Sequence, residues 1–439
     1  MSLLYRSSFF FACLLLALFC PSAEAAISSK EKVELVETDG RWELHRHGQP
    51  YVIKGLGISG ALGLDRVEDL GANSIRTWGI EALEEKDEEG RTLLDAAQAR
   101  GLTVCAGLWI QHERHGFSYR DPEVIAEQRS KIMAAVRKYK DHPALLLWGL
   151  GNEMENGLEP DTALLVWHEL EALAGMVKEE DPNHPVLTAV AAVNPPKIKE
   201  MIKEYPSIDI LGVNTYAGSA STGSSLLAVG WQKPFVLTEF GPIGHWEAAK
   251  APWGAQIEET GNEKARRYFT ALEAMKRNTE GLCLGSYAFL WGNKQETTAT
   301  WYGLLLSTGE KVPAVDAIVR SWTGSWPEQR CPRLASVDFP LALRTGQAGE
   351  KVTVTAKADD PENDPLTYEW SVREESTDLK QGGDEESVPR LFSSCIPSGE
   401  NGPTVELTLP QDAGYYRLFL VVRDGQGGAT TANYPFAVE

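Results

Sequence analysis

Eight short apolar runs, separated by longer stretches of mixed polarity, constrain the fold more than any other feature of this sequence. The runs cover residues 51–58, 74–79, 103–111, 145–153, 185–192, 210–216, 234–241 and 284–292. Continuous apolar runs of this length are typical of strands that are buried on both faces, as in a parallel sheet covered by helices. The sequence therefore predicts an α/β fold over this part of the chain.

The stretches between most of the runs show helical periodicity. One helical face is formed ahead of the fourth run by Ile125, Ile132, Val136 and Tyr139. A similar face precedes the eighth run at Ala265, Tyr268, Phe269, Leu272 and Met275. Eight strands alternating with helices favour a closed (β/α)8 barrel over an open doubly wound sheet.

Regions on either side of the barrel have a different pattern. Residues 33–46 form two alternating runs around Asp39-Gly40, which predicts a hairpin that could close the lower end of the barrel. We expect the barrel domain over residues 33–325 and a proline-containing linker over residues 326–335. Residues 336–439 contain short alternating strands, which predict an all-β sandwich of immunoglobulin-like type.

The first residues have the pattern of a secretory signal peptide. Arg6 precedes a dense apolar run over residues 9–19, and Ala23 and Ala25 form an A-x-A motif. A membrane anchor is the alternative, but the run is shorter than the roughly 20 residues that a membrane-spanning helix needs. We therefore predict a signal peptide over residues 1–25, a secreted or periplasmic protein, and no membrane association after cleavage.

Charge and cysteine content narrow the choice of partners. The formal net charge is −20, which disfavours binding to nucleic acid or to anionic membranes. Four of the six cysteines follow the predicted cleavage site, and Cys331 and Cys395 both lie in the C-terminal region. An exported chain permits a disulfide between these two residues, but the sequence leaves their pairing open.

Two carboxylates stand directly at the ends of apolar runs. Glu153 ends the fourth run after Gly151-Asn152, and Glu239 lies near the end of the seventh. The carboxyl ends of barrel strands meet at one mouth, where partial desolvation raises carboxyl pKa values and proximity pushes two such values apart. One carboxyl can then serve as a proton donor and the other as a nucleophile, as in retaining glycosidases. A structural ion pair is the alternative for either residue alone.

These residues also carry a family resemblance. The stretches WGLGNE (148–153) and LTEFG (237–241) resemble the two signatures of the large clan of retaining glycoside hydrolases with catalytic glutamates on strands 4 and 7. The stretch GANSIRTW (71–78) is similar to the arginine-bearing motif of the family 2 catalytic domain, and it also resembles the yeast-type β-1,3-glucanosyltransferases. The resemblance covers roughly residues 45–325. Family 2 enzymes usually carry two β-domains before the barrel, whereas the predicted β-domain of this chain follows it.

The resemblance implies a role for each polar residue of the motifs. Glu153 would be the general acid/base and Glu239 the nucleophile. Asn152 would bind the sugar 2-hydroxyl, and Arg76 would hold the nucleophile ionised and oriented. A salt bridge that fills the barrel is the alternative for Arg76.

Two aromatic residues complete the implied site. Tyr216, at the end of the sixth run, would donate a hydrogen bond to the nucleophile. Trp291, near the end of the eighth, would form the floor beneath the sugar, because an indole face suits the C–H side of a pyranose. Packing in the core is the alternative for both residues. The resemblance implies no cofactor.

Loops after the third and seventh strands supply further candidates. Trp109 and His112 are predicted to contact substrate, with an ordinary polar loop as the alternative. A metal site at His112 and His115 is disfavoured because the pair lacks the helical spacing of such ligands, so no metal is predicted. Trp246 and Trp253 could form sugar platforms or could pack their loop on itself.

The predicted C-terminal domain contains one motif of its own. Its acidic turn DDPEND (359–364) resembles turns of PKD-like and cadherin-like modules. Oxygen ligands at this density could hold Ca²⁺, although an ordinary acidic turn is favoured. The domain could also contact a glycan or a cell surface.

Three functions are compatible with the sequence, and a carbohydrate is the partner in each. The favoured one is a retaining β-glycosidase that cleaves a β-linked oligosaccharide or polysaccharide by double displacement. The second is a transglycosylase that uses the same residues with a sugar hydroxyl as acceptor. The third is a non-catalytic carbohydrate-binding surface protein. The sequence leaves the sugar, the linkage and endo or exo action open.

Overall fold

The computed structural model describes residues 32–61, 63–397 and 399–439. The predicted signal peptide lies outside these residues and stays a prediction. Within the described residues, none of the helices is long and apolar enough to cross a membrane.

A hairpin, a barrel and a group of helices make up the described residues between Val33 and Thr323. The strands are β1 (Val33–Thr38), β2 (Arg41–Arg46), β3 (Gln49–Pro50), β4 (Ile53–Gly57), β5 (Ser74–Arg76), β6 (Thr103–Leu108), β7 (Leu145–Asn152), β8 (Val186–Ala191), β9 (Ile210–Asn214), β10 (Phe235–Phe240) and β11 (Cys283–Ala288). The helices are α1 (Glu81–Glu84), α2 (Leu93–Ala99), α3 (Pro122–Tyr139), α4 (Pro160–Glu180), α5 (Pro195–Glu204), α6 (Thr222–Ala228), α7 (Gly261–Arg277) and α8 (Pro313–Thr323).

Strands β4 to β11 close into a parallel barrel, so the predicted (β/α)8 fold is confirmed. Each strand pairs with the next in chain order, and β11 closes the barrel against β4. Seven of the predicted apolar runs contain one of these strands, and the eighth contains all of β11 except its first residue, Cys283. The runs mostly extend past the strand at its carboxyl end, so their last residues lie at the mouth of the barrel.

The hairpin closes the opposite end of the barrel, as predicted. Strands β1 and β2 pair antiparallel, and Asp39 and Gly40 both have positive φ, which suits a tight two-residue turn. Val33 and Leu44 are buried on an apolar ring at the lower ends of the barrel strands. The ring includes Leu146, Leu147, Leu187, Ile210, Val236 and Leu284.

The C-terminal residues form two packed sheets. Their strands pair antiparallel, except for one short parallel pair. The strands are β12 (Arg333–Asp338), β13 (Thr345–Gly346), β14 (Lys351–Asp359), β15 (Thr367–Glu374), β16 (Thr404–Thr408), β17 (Gly414–Arg423) and β18 (Ala429–Val438). One sheet has the order β12-β14-β16 and the other β13-β18-β17-β15. The predicted β-sandwich is confirmed, and its first strand begins at Arg333, inside the predicted linker. The finer assignment to an immunoglobulin-like or PKD-like module stays a prediction.

The sandwich is docked on the barrel through buried polar contacts. Arg417 of β17 donates to the carbonyl of Gln256 at 2.8 Å and is paired with Glu375. Asn433 of β18 donates to the hydroxyl of Thr300 at 3.3 Å. Gln256 follows the seventh barrel strand and Thr300 follows the eighth, so these contacts fix the sandwich beside the barrel mouth.

The disulfide that the sequence left open is not formed. Cys331 and Cys395 are both buried free thiols. Cys331 packs near α8, where its N–H donates to Asp316 at 2.6 Å, whereas Cys395 belongs to the core of the sandwich.

Candidate active site

Four barrel strands deliver polar side chains to one point of the mouth. Arg76 ends β5, Asn152 ends β7 and Asn214 ends β9, while Glu239 is the last residue but one of β10. Glu153 follows β7 directly. Parallel strands present their carboxyl ends at the same edge, which explains why residues so distant in sequence meet here.

Glu239 is the best-held carboxylate of the group, and its side chain is buried. Its Oε1 accepts hydrogen bonds from Arg76 Nη1 at 3.0 Å and from Trp78 Nε1 at 2.7 Å. Its Oε2 accepts from the Tyr216 hydroxyl at 3.1 Å. Three donors, one of them a guanidinium, therefore orient both oxygens.

Glu153 has a very different environment. Its only donor among the described side chains is Asn214, whose Nδ2 lies 2.9 Å from Oε1. Burial raises the pKa of Glu153 to about 7, and the charge of Glu239 adds to this shift. The carboxyl can therefore carry a proton near neutral pH, which an ordinary glutamate cannot.

The backbone at Glu153 is also unusual. Gly151 and Glu153 have φ values of 72° and 51°, in the left-handed region. A non-glycine residue in this region costs of order 1 kcal/mol or more and persists only where the surroundings hold it. The turn aims the Glu153 side chain at Asn214 instead of continuing the strand.

An amide network links the two carboxylates. Asn152 Oδ1 accepts from Arg76 Nη2 at 2.7 Å and from Asn214 Nδ2 at 3.1 Å. Asn214 is fixed in turn because its Oδ1 accepts from the Thr238 hydroxyl at 2.7 Å. The orientations of both amides are thus determined by their partners, which leaves little freedom at the centre of the mouth.

The structure joins Glu153, Glu239, Arg76, Asn152 and Tyr216 in one hydrogen-bond network, of which Trp291 is not a member. Trp291 is 4% exposed and belongs to the main hydrophobic core. Its Nε1 donates to the carbonyl of Gly63 at 3.0 Å, and it makes no hydrogen bond to either carboxylate. Its predicted role as the sugar floor has no support from these contacts.

Phe289 is the aromatic residue after the eighth strand that lies closest to the network. Its ring is 5.7 Å from that of Trp78 and 6.1 Å from that of Tyr216, and both of those residues donate to Glu239. The ammonium of Lys294 stands 5.7 Å from the Phe289 ring centroid. The side of the mouth above the eighth strand is therefore lined by Phe289 and Lys294.

His112 is buried in the loop after β6. Its Nδ1 accepts from Arg114 Nη1 at 2.8 Å, and its Nε2 has no hydrogen-bond partner among the described residues. Burial, with the charge of Arg114, lowers the pKa of His112 to about 4, so the ring is neutral. Its Nε2 therefore carries the ring proton, and the Asn152 backbone lies near the ring. The Trp109 ring lies 5.3 Å away and forms one wall of this pocket.

Metal binding has no support in the parts of the chain that the structure covers. No group of three or more histidine, cysteine or acidic residues there could hold a metal ion. His115 pairs with Asp384 of the sandwich at 3.2 Å instead of with His112.

The two tryptophans after the seventh strand have different surroundings. Trp246 is 58% exposed, and its ring meets the Tyr216 ring edge-on at 5.5 Å. Trp253 stacks on Tyr415 of the sandwich at 5.7 Å with nearly parallel rings. Trp246 is thus open to solvent beside the carboxylates, whereas Trp253 holds the two domains together.

Three residues of the site were missed by the sequence analysis. Functional residues of a parallel barrel lie at or just after the carboxyl ends of its strands. Trp78 follows the second barrel strand by two residues and Asn214 ends the sixth, so this pattern could have identified both. Phe289 could not be identified in this way, because Trp291, two residues later, is also an aromatic residue at the end of the eighth strand. Glu155 is a further buried carboxyl beside the network, and its burial raises its pKa.

Comparison with known proteins agrees with the barrel assignment. Residues 64–244 match the profile of the glycosyl hydrolases of family 2, TIM barrel domain. A β-glucuronidase of Streptococcus agalactiae is 25% identical over 243 residues, which is 47% of this chain and 39% of that protein. A β-glucuronidase of Sus scrofa is 25% identical over 189 residues, which is 39% of this chain and 26% of that protein.

One solved structure is also similar to this chain. A β-glucuronidase of Bacteroides uniformis has a TM-score of 0.49 and 13% identity, with coverage of 93% of this chain and 48% of that one. The chain spans less than half the length of each of these relatives. Residues 64–244 are therefore similar to the glycosyl hydrolase barrel that the sequence motifs suggested.

Proposed function

We propose that this protein is a retaining β-glycoside hydrolase. The observation that carries the proposal is the contrast between the two carboxyls at the mouth. Glu239 is held by three donors, including Arg76, whereas Glu153 has a pKa of about 7 and can carry a proton. Retaining glycosidases require this division between a charged nucleophile and a protonated acid.

In the first step, Glu239 attacks the anomeric carbon of the substrate. The bond from that carbon to the leaving oxygen breaks, and the Glu153 proton moves to this oxygen, so that the leaving group departs as an alcohol. Arg76, Trp78 and Tyr216 then face an ester instead of a carboxylate. Because their hydrogen bonds are strongest to the free carboxylate, they also favour its release in the next step.

In the second step, a water molecule replaces the leaving group. Glu153, now ionised, takes a proton from this water as its oxygen attacks the anomeric carbon. The bond to Glu239 breaks, the sugar leaves with its original configuration, and both carboxyls return to their starting states. Glu153 therefore alternates between acid and base, which a pKa near 7 allows.

The groups around the pair fit a sugar ring. Asn152 lies between the two carboxyls and is oriented for a hydroxyl next to the anomeric carbon. Trp246 offers an exposed indole face beside Tyr216, and Phe289 lies on the other side of that tyrosine. Aromatic faces with convergent polar groups are typical of carbohydrate sites.

The identity of the cleaved sugar is a separate question. The curated relatives are named β-glucuronidases, and a β-glucuronide is therefore one candidate substrate. Lys294 could meet a sugar carboxylate, but it is already paired with Glu296 at 2.7 Å. This pairing favours neutral β-glycosides. An exported location, expected from the first residues of the chain, is compatible with a polysaccharide source.

The proposal is tested with p-nitrophenyl β-glycosides of glucose, galactose, mannose, xylose and glucuronic acid. We expect turnover of at least one substrate, with the β-anomer as the first product in proton NMR spectra. The double variant Glu153→Gln/Glu239→Gln should be inactive. An α-anomer as the first product, or unchanged turnover by the double variant, would overturn the proposal.

A further inference from the structure

A segment of the C-terminal sandwich lies against the barrel mouth. Residues 380–386, here called the rim segment, belong to the long connection between β15 and β16. It is anchored by the buried carboxylate of Glu386, which accepts from the Thr297 N–H at 2.6 Å and from the Lys380 N–H at 3.1 Å. The rim segment is thereby fixed to the barrel and not only to its own domain.

The rim segment binds the loop after β6. Asp384 Oδ2 lies 3.2 Å from His115 Nε2, and its Oδ1 lies 3.8 Å from Arg114 Nη2. Arg114 is the residue that fixes His112 at 2.8 Å. His112 in turn lies near the Asn152 backbone, beside Glu153. A chain of contacts therefore connects Asp384 to the acid side of the catalytic pair.

The same segment also binds the loop after β11. The carbonyl of Gly383 accepts from Lys294 Nζ at 2.9 Å. Lys294 stands over Phe289, whose ring touches Trp78, a donor to Glu239. The rim segment thus reaches the nucleophile side of the pair as well.

Two glycines make these close approaches feasible. Gly382 and Gly383 have φ values of 62° and 77°, a conformation that side chains rarely adopt. A Cβ atom would lie 2.6 Å from Arg114 Nη2 at Gly382 and 2.8 Å from Lys294 Nζ at Gly383. The left-handed backbone therefore favours glycine at both positions, and a side chain there would displace the ends of Arg114 and Lys294.

We propose that the rim segment is a wall of the substrate cleft and that the C-terminal domain thereby determines affinity for sugar units beyond the one that is cleaved. Strands β6 and β11 are separated in the barrel by β4 and β5, so the segment spans the mouth above those two strands. Arg114, His115, Lys294 and Asp384 are all partly exposed there and can meet solvent or ligand. This inference rests on the proposed function for the position of the cleaved sugar.

The chemistry of the wall fits a neutral oligosaccharide. Its two permanent cations, Arg114 and Lys294, already have acidic partners in Asp384 and Glu296. Such pairs offer both donors and acceptors to sugar hydroxyls without a net charge that would select an ion. Trp109, next to His112, adds an apolar face on the same side.

The test compares long and short ligands in the full chain that carries Glu239→Gln to prevent turnover. Dissociation constants are measured by NMR titration for laminaritetraose, cellotetraose, mannotetraose and β-1,4-galactotetraose, and for the methyl β-glycoside of each sugar. They are compared between this background and the same chain with Asp384→Ala or His115→Ala. Asp359→Ala is the matched control, because Asp359 pairs with Arg333 on the exposed surface of the same domain.

We expect at least one tetrasaccharide to bind, and Asp384→Ala to weaken its binding about tenfold, as loss of charge-assisted contacts would do. Binding of the methyl glycoside should change less than twofold, and the control should match the background. A merely structural role would affect both ligands alike, and thermal unfolding shows whether each variant is folded.

Three results would overturn the inference: no binding by any tetrasaccharide, equal weakening of long and short ligands, or no effect of either substitution. Failure of the proposed function is seen separately, because it appears as absent turnover of the aryl glycosides by the wild-type chain. If oligosaccharide binding depends on Asp384 but the wild-type chain does not hydrolyse the aryl glycosides, the inference about the rim segment holds and the proposed enzymatic function is wrong.

Discussion

The two ends of the barrel are built from the same strands but differ in almost every physical property. At the lower end, Val33 and Leu44 of the hairpin close a dry apolar ring that includes Leu147. At the mouth, Arg76 and Glu239 form a buried ion pair within an amide network. An apolar interior is sufficient to stabilise a barrel. The polar groups buried at the mouth therefore indicate a function other than stabilisation of the fold.

Energetics explain the difference. Apolar burial at the lower end stabilises the fold by roughly 25 cal/mol per Å². A buried ion pair contributes little net stability, since the desolvation of both charges offsets their attraction. Substitutions at the mouth should therefore reduce activity with little effect on folding, and substitutions at the lower end should do the reverse. The five predictions below test this division in order of expected size.

Glu239→Gln should have the largest effect. We expect kcat to fall on the order of 10⁴-fold, as when a catalytic group is removed, because an amide is a very weak nucleophile. The unfolding temperature should change little. Steady-state kinetics and calorimetry measure the two quantities.

Glu169→Gln is the matched control for that variant. Glu169 is also a buried glutamate paired with an arginine, Arg129, but it lies on α4 away from the mouth. Its stability should change no more than that of Glu239→Gln, and it should keep its kcat. Comparable loss of kcat in both variants would contradict the division between the two ends.

Glu153→Gln should lower kcat by about 10²- to 10⁴-fold, the range for loss of acid–base catalysis. In the wild-type chain, kcat should fall as the pH rises through about 7, because Glu153 then loses its proton. This alkaline limb should be absent in the variant. If kcat falls at the same pH in the wild type and in the variant, the titrating group is not Glu153.

The same raised pKa predicts a change in stability. A carboxyl that titrates near 7 when folded and near 4.5 when unfolded binds its proton more tightly in the folded state. The stability of the wild-type chain should therefore fall, relative to Glu153→Gln, as the pH rises through this window. Chemical denaturation at pH 4.5 and pH 7.5 measures the difference.

Leu147→Ala should act only on folding. Removal of a fully buried leucine from the lower ring should lower the free energy of unfolding by about 2–5 kcal/mol. The value of kcat/KM, measured well below the unfolding temperature, should match the wild type. A fall in kcat/KM under those conditions would show that the two ends are coupled.

Tyr216→Phe should give the smallest of these effects. It removes one hydrogen bond to a charged oxygen, which corresponds to a loss of about 10- to 100-fold in kcat. The ring contacts of Tyr216 with Trp246 and Phe289 remain, so KM and stability should be nearly unchanged. A KM effect larger than the kcat effect would instead make Tyr216 a binding residue.

The sequence predicts the barrel and the central residues of its mouth because both follow from local patterns. Apolar runs identify the strands, and their ends place Glu153 and Glu239 at one edge. The pKa of Glu153 depends on burial and on Glu239, which only the closed barrel brings together. The sequence does not show which of Phe289 and Trp291 contacts the site, because both follow the eighth strand. Only the packing of the folded chain distinguishes them.

The contribution of the C-terminal sandwich to the mouth was not predictable at all. Asp384 and His115 are 269 positions apart in sequence. No periodicity or motif links them, and the docking of the two domains depends on side chains such as Arg417 that look like ordinary surface charges in the sequence. Long-range contacts of this kind arise from shape and complementary charge, which a linear pattern does not contain.

The central claim, that Glu239 is the nucleophile and Glu153 the acid/base, is tested most directly by azide rescue of the two alanine variants. With an activated aryl β-glycoside, Glu239→Ala should regain turnover in azide and release an α-glycosyl azide. Glu153→Ala should instead release a β-glycosyl azide. The reverse pattern, or rescue of neither variant by azide when the wild-type chain is active, would contradict the account.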